Sequence, residues 1–490
     1  MMIGIDFGTT NSGVAVWTPR GTTMIEIAGQ QDTLPSVVAQ TDKGFLTGRY
    51  ALTQTDENPD FTFRNIKRYL GREFDEQEHS HFQLAEGPDG KVWWRGRDGL
   101  ISGPALVAEI LKSLLVAAES HLKARPSGAV IAVPVDCTQA QKDAVREAAR
   151  LVGLERVELF EEPYAAAVAY GVTALDDKFT RVVIYDLGGG TFDVTVLHMK
   201  NGVTSPAGMN GIGFLGGADF DARIVEDIAD KFFAEHGIDL RGKPHCMVRV
   251  MKEAEEAKRR LSDVNETVIN LPNLVLTEER GMLHKKYTLK RSELEAMTKD
   301  LVASTVTCLT EALKQADLSK KEIEHVLLVG GQSRMPLIHS VLSRFFGPDK
   351  LVTGPRPEHA VALGAAIQAA EIEGRKAKSV LERIAPASIG ITRYGGEFVP
   401  VIKRGEKYPV RKTAELCTVK DGQALLGLEI TQGEAVAAED NERLVFYQIG
   451  AEALPAGELT VTVTLDVDAG GQLSVTAGDE IILGLKDKAA

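Results

Sequence analysis

The sequence predicts a two-lobed α/β body joined to a small all-β domain at its C-terminal end. Three observations predict it. IDFGTTNSGVAVW at residues 5–17 returns as YDLGGGTFDVTVL at residues 185–197. Asp6 matches Asp186, Gly8 matches Gly188, Val14 matches Val194 and Val16 matches Val196, at a constant spacing of 180 residues. One strand–turn–strand design used twice, so far apart, means two similar lobes. Around these copies, apolar strand runs alternate with helical runs, which means layers of helices on a sheet. Towards the end of the chain a period of two replaces the helical signal.

The elements follow in order. A core strand starts at once, in MMIGIDFG. SGPALVAEILKSLLVAAESHL, from Ser102, is a helix with a serine cap and proline in its first turn. LKARPSG closes that helix. GAVIAVPVD, from Gly128, is a buried strand ended by Pro134 and Asp136. CTQAQKDAVREAARLVGL is a helix with apolar spacing near 3.6 and a stop at Gly153. VELFEEPYAAAVAYG continues as strand, turn and alanine-rich helix. After the second hairpin, DFDARIVEDIADKFFAEHG and MVRVMKEAEEAKRRLS read as helices. HVLLVGGQSRMPLIHSVLSRFF reads as strand, glycine turn and helix, and AVALGAAIQAAEIEG as a small-residue helix. EGRKAKSVLERIAP, residues 373–386, is charged and weakly patterned, a linker. ALLGLEITQGE, RLVFYQIG, ELTVTVTLDVD and LSVTA then read as strands, with AGGQ as a turn.

Bulk properties narrow the function. A chain of 490 residues is too long for one core, so at least two domains are expected. A net charge of -13 argues against a general nucleic-acid surface, so a phosphate ligand must be held locally. The four cysteines show no metal-ligand spacing, and their scarcity fits a reducing compartment. With no apolar leader and no membrane-length apolar run, the expected compartment is the cytoplasm.

Glycine turns and acids carry the chemistry. Glycines let backbone N–H groups converge on a phosphate. An acid ending the preceding strand can hold a divalent cation or its water shell, and a second acid can orient a water. Asp6 with Gly8, Thr9 and Thr10 has these parts. So does Asp186 with Gly188, Gly189, Gly190, Thr191 and Asp193. Two such hairpins could grip one polyphosphate and Mg2+ from opposite sides. Either hairpin alone is equally well read as an ordinary turn. The repeat and a third glycine turn, Gly330-Gly331, favour nucleotide binding. There is no P-loop motif and no HExxH. GIGFLG, residues 211–216, matches GxGxxG, but SPAGMN before it carries no buried-strand signal. FTFRNIKRYLGREF, residues 61–74, is basic in an acidic chain. Read alone, it is a solvated helix face, and Lys67 matters only if the segment folds over the cleft.

Taken in order, IGIDFGTTNS, NIKRYLGR, VPVD, EEPYAAAVAYG, YDLGGGTFDVTVL, FLGGADFD, LLVGGQSRMP and AVALGAAIQAA resemble the seventy-kilodalton heat-shock chaperones, the DnaK-type family. The resemblance spans nearly the whole chain and is weaker after Glu373. It implies an actin-like ATPase domain of two lobes at 1–372, a linker at 373–386, a β-sandwich peptide-binding domain at 387–485 and a tail at 486–490. It implies ATP/ADP and Mg2+ as cofactors, with K+ also admitted. On the matched motifs, Lys67, Glu162, Thr191 and Asp193 are the catalytic group, and Asp6, Asp186 and Asp193 stand around Mg2+, largely through water. Gly8, Thr9, Thr10, Gly188 to Thr191, Gly216 and Gly217 surround the phosphates. Glu255, Lys258, Arg259, Ser262, Gly330, Gly331, Gln332, Arg334 and Glu358 hold the nucleoside. Glu255, Lys258, Arg259 and Ser262 also fall at helical spacings that put them largely on one face, although an exposed ion-paired helix has the same pattern. Ile391, Leu416, Leu426 and Leu428 match the apolar peptide pocket, with Tyr394 and Val419 arching over it; plain sandwich core is the competing assignment.

The chain departs from the family pattern in its linker, SVLERIAP, which is one residue shorter and carries Glu382 and Arg383 in the apolar run. It stops where a helical lid would begin, so rapid peptide exchange is expected. Gln332 and Ala218 replace a small hydroxyl residue and an acid. The expectation is a monomeric, lidless, ATP-dependent chaperone-like protein of the stress response. Its partners are extended peptides, a J-domain co-chaperone and an exchange factor, without nucleic acid or membrane. A metabolite kinase of the actin superfamily, an actin-like filament protein and a nucleotide-gated module for one dedicated partner are the alternatives.

Overall fold

In the computed structural model the described residues are 1–27, 31–55, 57–76, 83–135, 137–171, 180–200, 203–354, 356–376, 380–381, 385, 387–450, 454–468, 471–478 and 480–483. β1 (Met2–Phe7) is apolar on both faces because it lies in the middle of a covered sheet. It turns into β2 (Asn11–Thr18) and β3 (Gly21–Met24), both antiparallel. On its other side β1 pairs in parallel with β4 (Gly128–Val133), and β4 with β5 (Val157–Glu161). Parallel neighbours need a crossover, and helices supply it. α1 (Gly103–Leu122) precedes β4, and α2 (Gln139–Leu151) joins β4 to β5. α1 begins on the expected cap, where Ser102 accepts from the Ala105 N–H, and α2 begins on a capping box that Thr138 closes with Gln141. α3 (Glu162–Ala169) leaves β5 directly.

The second lobe repeats the plan. β6 (Thr180–Leu187), β7 (Phe192–Lys200) and β8 (Val203–Ile212) form the meander. α4 (Gly217–His236) and α5 (Pro244–Asp263) follow, then the hairpin β9 (Glu266–Thr277) and β10 (Gly281–Lys290), then α6 (Arg291–Gln315). β11 (His325–Val329), α7 (Pro336–Phe346), β12 (Leu351–Thr353) and α8 (Ala360–Ile372) complete it. The sheet orders are β5-β4-β1-β2-β3 and β12-β11-β6-β7-β8. Asp6 lies opposite Gly13 and Asp186 opposite Asp193, so the repeated motif marks a duplicated sheet.

SPAGMN lies inside β8, where no strand signal was expected. A bulge at Ala207 shifts the register and admits Pro206. The strand is the antiparallel outer member of a meander, so GIGFLG still does not open a dinucleotide-binding βαβ unit.

α3 and α8 cross between the two sheets, and their small residues are a packing requirement. A Cβ on Gly364 would stand 1.8 Å from the Ala165 carbonyl oxygen, and one on Gly4 2.1 Å from Ala366 N. Side chains from both lobes, among them Val130, Ala132, Val182 and Leu327, share one core with these helices. The lobes are thus joined at the base of a cleft. Past α8, Glu373 accepts from Met2 N and Ser127 Oγ and pairs with Arg375, which lies over Trp17. β13 (Val380–Leu381) then adds in parallel to β8 at Val203–Thr204. Glu382 and Arg383 lie outside the described residues.

The C-terminal domain is two four-stranded sheets. One holds β14 (Ile389–Thr392), β15 (Phe398–Ile402), β17 (Leu425–Gln432) and β18 (Glu442–Gly450). The other holds β16 (Val410–Cys417), β19 (Thr460–Val467), β20 (Leu473–Ala477) and β21 (Glu480–Leu483). The period of two puts Ile389, Ile391, Leu428 and Ile430 from one sheet against Val463, Leu465, Val467 and Val475 from the other. Arg404 Nη2 donates to Gln315 Oε1 at the end of α6, and Glu442 reaches Thr138 at the cap of α2. Among the described residues no helix is long and apolar enough to cross a membrane.

Candidate active site

The two glycine turns face each other across the cleft. A Cβ on Gly189 would lie 2.1 Å from Thr10 Oγ1 and 2.5 Å from Thr10 Cβ, and one on Gly190 would lie 2.7 Å from Thr9 Cγ2. Only glycine lets the second turn come this close to the Thr9 and Thr10 side chains of the first. Each turn is braced from behind. Ser36, buried, donates to the Gly8 carbonyl at 2.7 Å, and its N–H donates to the Thr10 carbonyl at 2.8 Å. On the other side, Gly217 N donates to Gly188 O at 3.0 Å and Ala218 N to Gly189 O at 2.9 Å, which seats the start of α4 on the second turn. The third glycine turn closes in as well. Gly330 has φ +79°, and a Cβ there would meet Asp186 Oδ1 at 2.6 Å.

The acids and Lys67 lie at the ends of the first strands. FTFRNIKRYLGREF is no solvated helix face. It forms one helical turn, Ile66–Tyr69, entered through Asn65 at φ 55°. That turn aims Lys67 into the cleft, where its ammonium donates to Glu162 Oε1 at 2.7 Å and lies 5.8 Å from the centre of the Phe7 ring. Burial, then the charge of Glu162, pushes Asp6 up to about 7 against the pull of Lys67. Burial, with Glu162 and Asp6 beside it, pushes Asp186 up to about 8. Burial would lower the Lys67 pKa, but Glu162 and Asp6 outweigh it and raise it. Asp193 pairs opposite Asp186 in the hairpin register, with Gly211 next to its Oδ1.

This cluster has the chemistry for a cation and an anion together. Three partly buried acids, Asp6, Glu162 and Asp186, share one lysine, so a divalent cation would offset the desolvation and the mutual repulsion that raise Asp6 and Asp186. Among the described residues no three His, Cys, Asp or Glu side chains converge closely enough to ligate a metal ion directly. Arg68, the neighbour of Lys67, donates through Nη2 to the Gly190 carbonyl while its buried Nε has no partner. An orphaned guanidinium N–H beside the glycine turn suits a phosphate oxygen.

The nucleoside candidates divide. Ser262 and Arg334 line one cavity of about 200 Å3 with Asp263, His339, Thr353, Gly354 and Pro357. Lys258 points back to the phosphate end, donating to Gly217 O at 2.7 Å and pairing with Asp221 at 3.0 Å. Gln332 is buried with its Oε1 near Gly217, and Gly331 faces open space. Glu255 and Arg259 pair with each other at 2.6 Å on the exposed side of α5. Glu358 pairs with Arg334 at 3.4 Å, and its Oε2 is buried without a partner.

In the β-domain, Ile391 and Leu428 lie in the sandwich core, Leu426 is buried and Leu416 packs on the core margin. Tyr394 and Val419 are exposed. Sequence reasoning missed Ser36, Arg68, Phe214 and Asp219 at the phosphate turns and Asp263, His339 and Gly354 at the cavity. It also missed Asp32, which crosses the lobes to Arg356 and His359. Arg68 had a signal in NIKRYLGR beside Lys67, and Phe214 and Asp219 in FLGGADFD; the others stand outside the motifs that carry the family resemblance.

Two matched sheets, facing glycine turns and an acid cluster at their junction form a single arrangement that runs through most of the chain. A protein-family model described as Hsp70 protein matches residues 2–487, and the chain therefore belongs to the Hsp70 family.

Proposed function

We propose that this chain hydrolyses ATP between its two glycine turns and uses the nucleotide state to control peptide binding by its β-domain. Hsp70 proteins are ATP-dependent chaperones that bind ATP and ADP with Mg2+. The observation that carries the residue-level reading is the contact of the two turns directly beside Asp6, Asp186 and the Lys67–Glu162 pair.

In this reading the backbone N–H groups of both turns, with Thr9, Thr10 and Thr191, hold the β- and γ-phosphates. Lys67 and Arg68 neutralise charge as the terminal phosphoryl group leaves. Glu162 fixes the Lys67 ammonium, and Asp193 orients the water for in-line attack. Mg2+, held near Asp6 and Asp186, supplies further charge neutralisation when bound. Lys258, Gln332, Ser262, Arg334 and Glu358 position the nucleoside, with Glu255, Arg259 and Gly331 around it. Peptide is held by Leu416 and Leu426 beside the core residues Ile391 and Leu428, under Tyr394 and Val419. Val380–Leu381, paired to β8 of the second lobe, is the coupling element. A J-domain co-chaperone and an exchange factor are the expected partners.

The test measures binding of a fluorescent extended apolar peptide with ATP, with ADP and without nucleotide, alongside single-turnover hydrolysis. Hydrolysis and a nucleotide-dependent peptide affinity are expected. Absence of hydrolysis would sink the ATPase reading; hydrolysis with unchanged peptide affinity would sink the coupling.

A further inference from the structure

We infer that Phe214 is a cation–π latch that holds the lobes shut over the phosphate end of the cleft and so sets the rate at which nucleotide leaves. This rests on the proposed nucleotide site.

Phe214 lies on the loop between β8 and α4. That loop is tied to the second glycine turn: Asp219 Oδ2 accepts from Gly216 N at 2.7 Å, and α4 donates its first N–H groups to Gly188 and Gly189. A Cβ on Gly216 would stand 2.3 Å from Gly190 N, so the loop and the turn move together. Leu215 enters the core of the second lobe, but Phe214 is left 49% exposed. Its ring instead meets the first lobe. The Arg68 guanidinium lies 5.0 Å from the ring centre and that of Arg72 5.7 Å. Arg68 also grips the Gly190 carbonyl and lies 3.8 Å from Asp219.

Both arginines belong to the segment that delivers Lys67. A nucleotide held between the turns can escape only when this segment and the second turn separate, and separation breaks both ring contacts. Two such contacts at a half-exposed site are together worth roughly fivefold to thirtyfold in the opening equilibrium. Phe214 is thus a positioning residue that acts through the two arginines.

The experiment follows release of a fluorescent N-methylanthraniloyl-ADP from the full chain with Mg2+, chased by excess ADP in a stopped-flow instrument. Phe214→Leu keeps an apolar side chain but removes the ring quadrupole, and should speed release roughly fivefold to thirtyfold. Phe214→Trp keeps a ring and should release close to the wild-type rate. Arg72→Ala should give a smaller acceleration that adds little to Phe214→Leu, because both remove the same contact. Wild-type release from Phe214→Leu, or equal rates for Leu and Trp, would overturn the latch while leaving the nucleotide site standing. Failure of the wild-type chain to bind the labelled ADP would overturn both.

Discussion

Replacing Gly189 with alanine tests the facing-turn geometry directly. The added Cβ would stand 2.1 Å from Thr10 Oγ1, 2.5 Å from Thr10 Cβ and 3.2 Å from Thr10 Cγ2. Rotating the Thr10 hydroxyl away does not help, because the Cβ of Thr10 is itself too close. Carbon atoms prefer about 3.5–4.0 Å, so the two turns must part by about 1 Å. A displacement of that size at a reacting centre costs about 100-fold in rate. Single-turnover hydrolysis should therefore fall by about 100-fold in Gly189→Ala. Its circular dichroism should stay native, because the clash lies at the cleft surface. Adding Thr10→Gly removes the obstructing atoms and should recover part of the loss, although the hydroxyl is gone. Near-wild-type hydrolysis by Gly189→Ala would refute the facing-turn arrangement. No recovery in the double variant would assign the loss to something other than spacing.

Other perturbations test separate parts of the molecule. Lys67→Ala should keep ATP binding of the same order, measured by calorimetry, but slow single-turnover hydrolysis by about 100-fold to 1,000-fold; normal turnover would remove Lys67 from the catalytic group. Gly364→Ala places a methyl group 1.8 Å from the Ala165 carbonyl oxygen, forcing α3 and α8 apart. It should lower unfolding stability by about 1–3 kcal/mol in urea titrations, and an unchanged midpoint would contradict the close helix crossing. His359 is buried beside Asp32 at 3.4 Å, and burial lowers its pKa against the pull of that acid. Below about pH 6.5 the unfolded chain then binds more protons than the folded one at this site. Its stability contribution is full above that pH and falls on acidification, by at most about 1.4 kcal/mol per pH unit. Urea unfolding at about pH 5.5 and about pH 7.5 should show a flatter acid limb in His359→Gln, with part of the limb kept by His198 and His339, whose pKa values are also lowered. An identical limb in the variant would sink the assignment.

Much of the fold was legible because local chemistry and tertiary packing agree there. α1 begins on the serine cap that the sequence displays, and α2 stops before Gly153 at φ +74°. The alternation in β19 survives because one face meets the opposite sheet and the other does not. Where packing overrides pattern, the signal fails. In β9, Thr267 is buried while Val268 is exposed, and Pro272 and Asn273 (φ 50°) interrupt the ladder, so the hairpin lacked a readable period. In β8 the bulge at Ala207 shifts the alternation between its two halves.

The site divides along the same line. Its glycines and strand-end acids were readable because the backbone can make that shape with few other residues. The charges that meet across the cleft were not, because contact between Arg68 and Gly190, or Asp32 and Arg356, depends on how the two lobes are set against each other. The segment around Lys67 shows the limit best. Three basic residues within six positions fit an exposed helix, and helical spacing, though it turns neighbours to different faces, does not say which partner each face meets. The chain does not continue as a helix there. Asn65 adopts the left-handed conformation and the helix lasts one turn, so Lys67 reaches Glu162 within the first lobe while Arg68 and Arg72 reach across to the second. One short segment therefore supplies both a cation for the acid cluster and the contacts that hold the opposite glycine turn. That dual use follows from a backbone φ angle and a lobe arrangement, neither of which a charge pattern encodes.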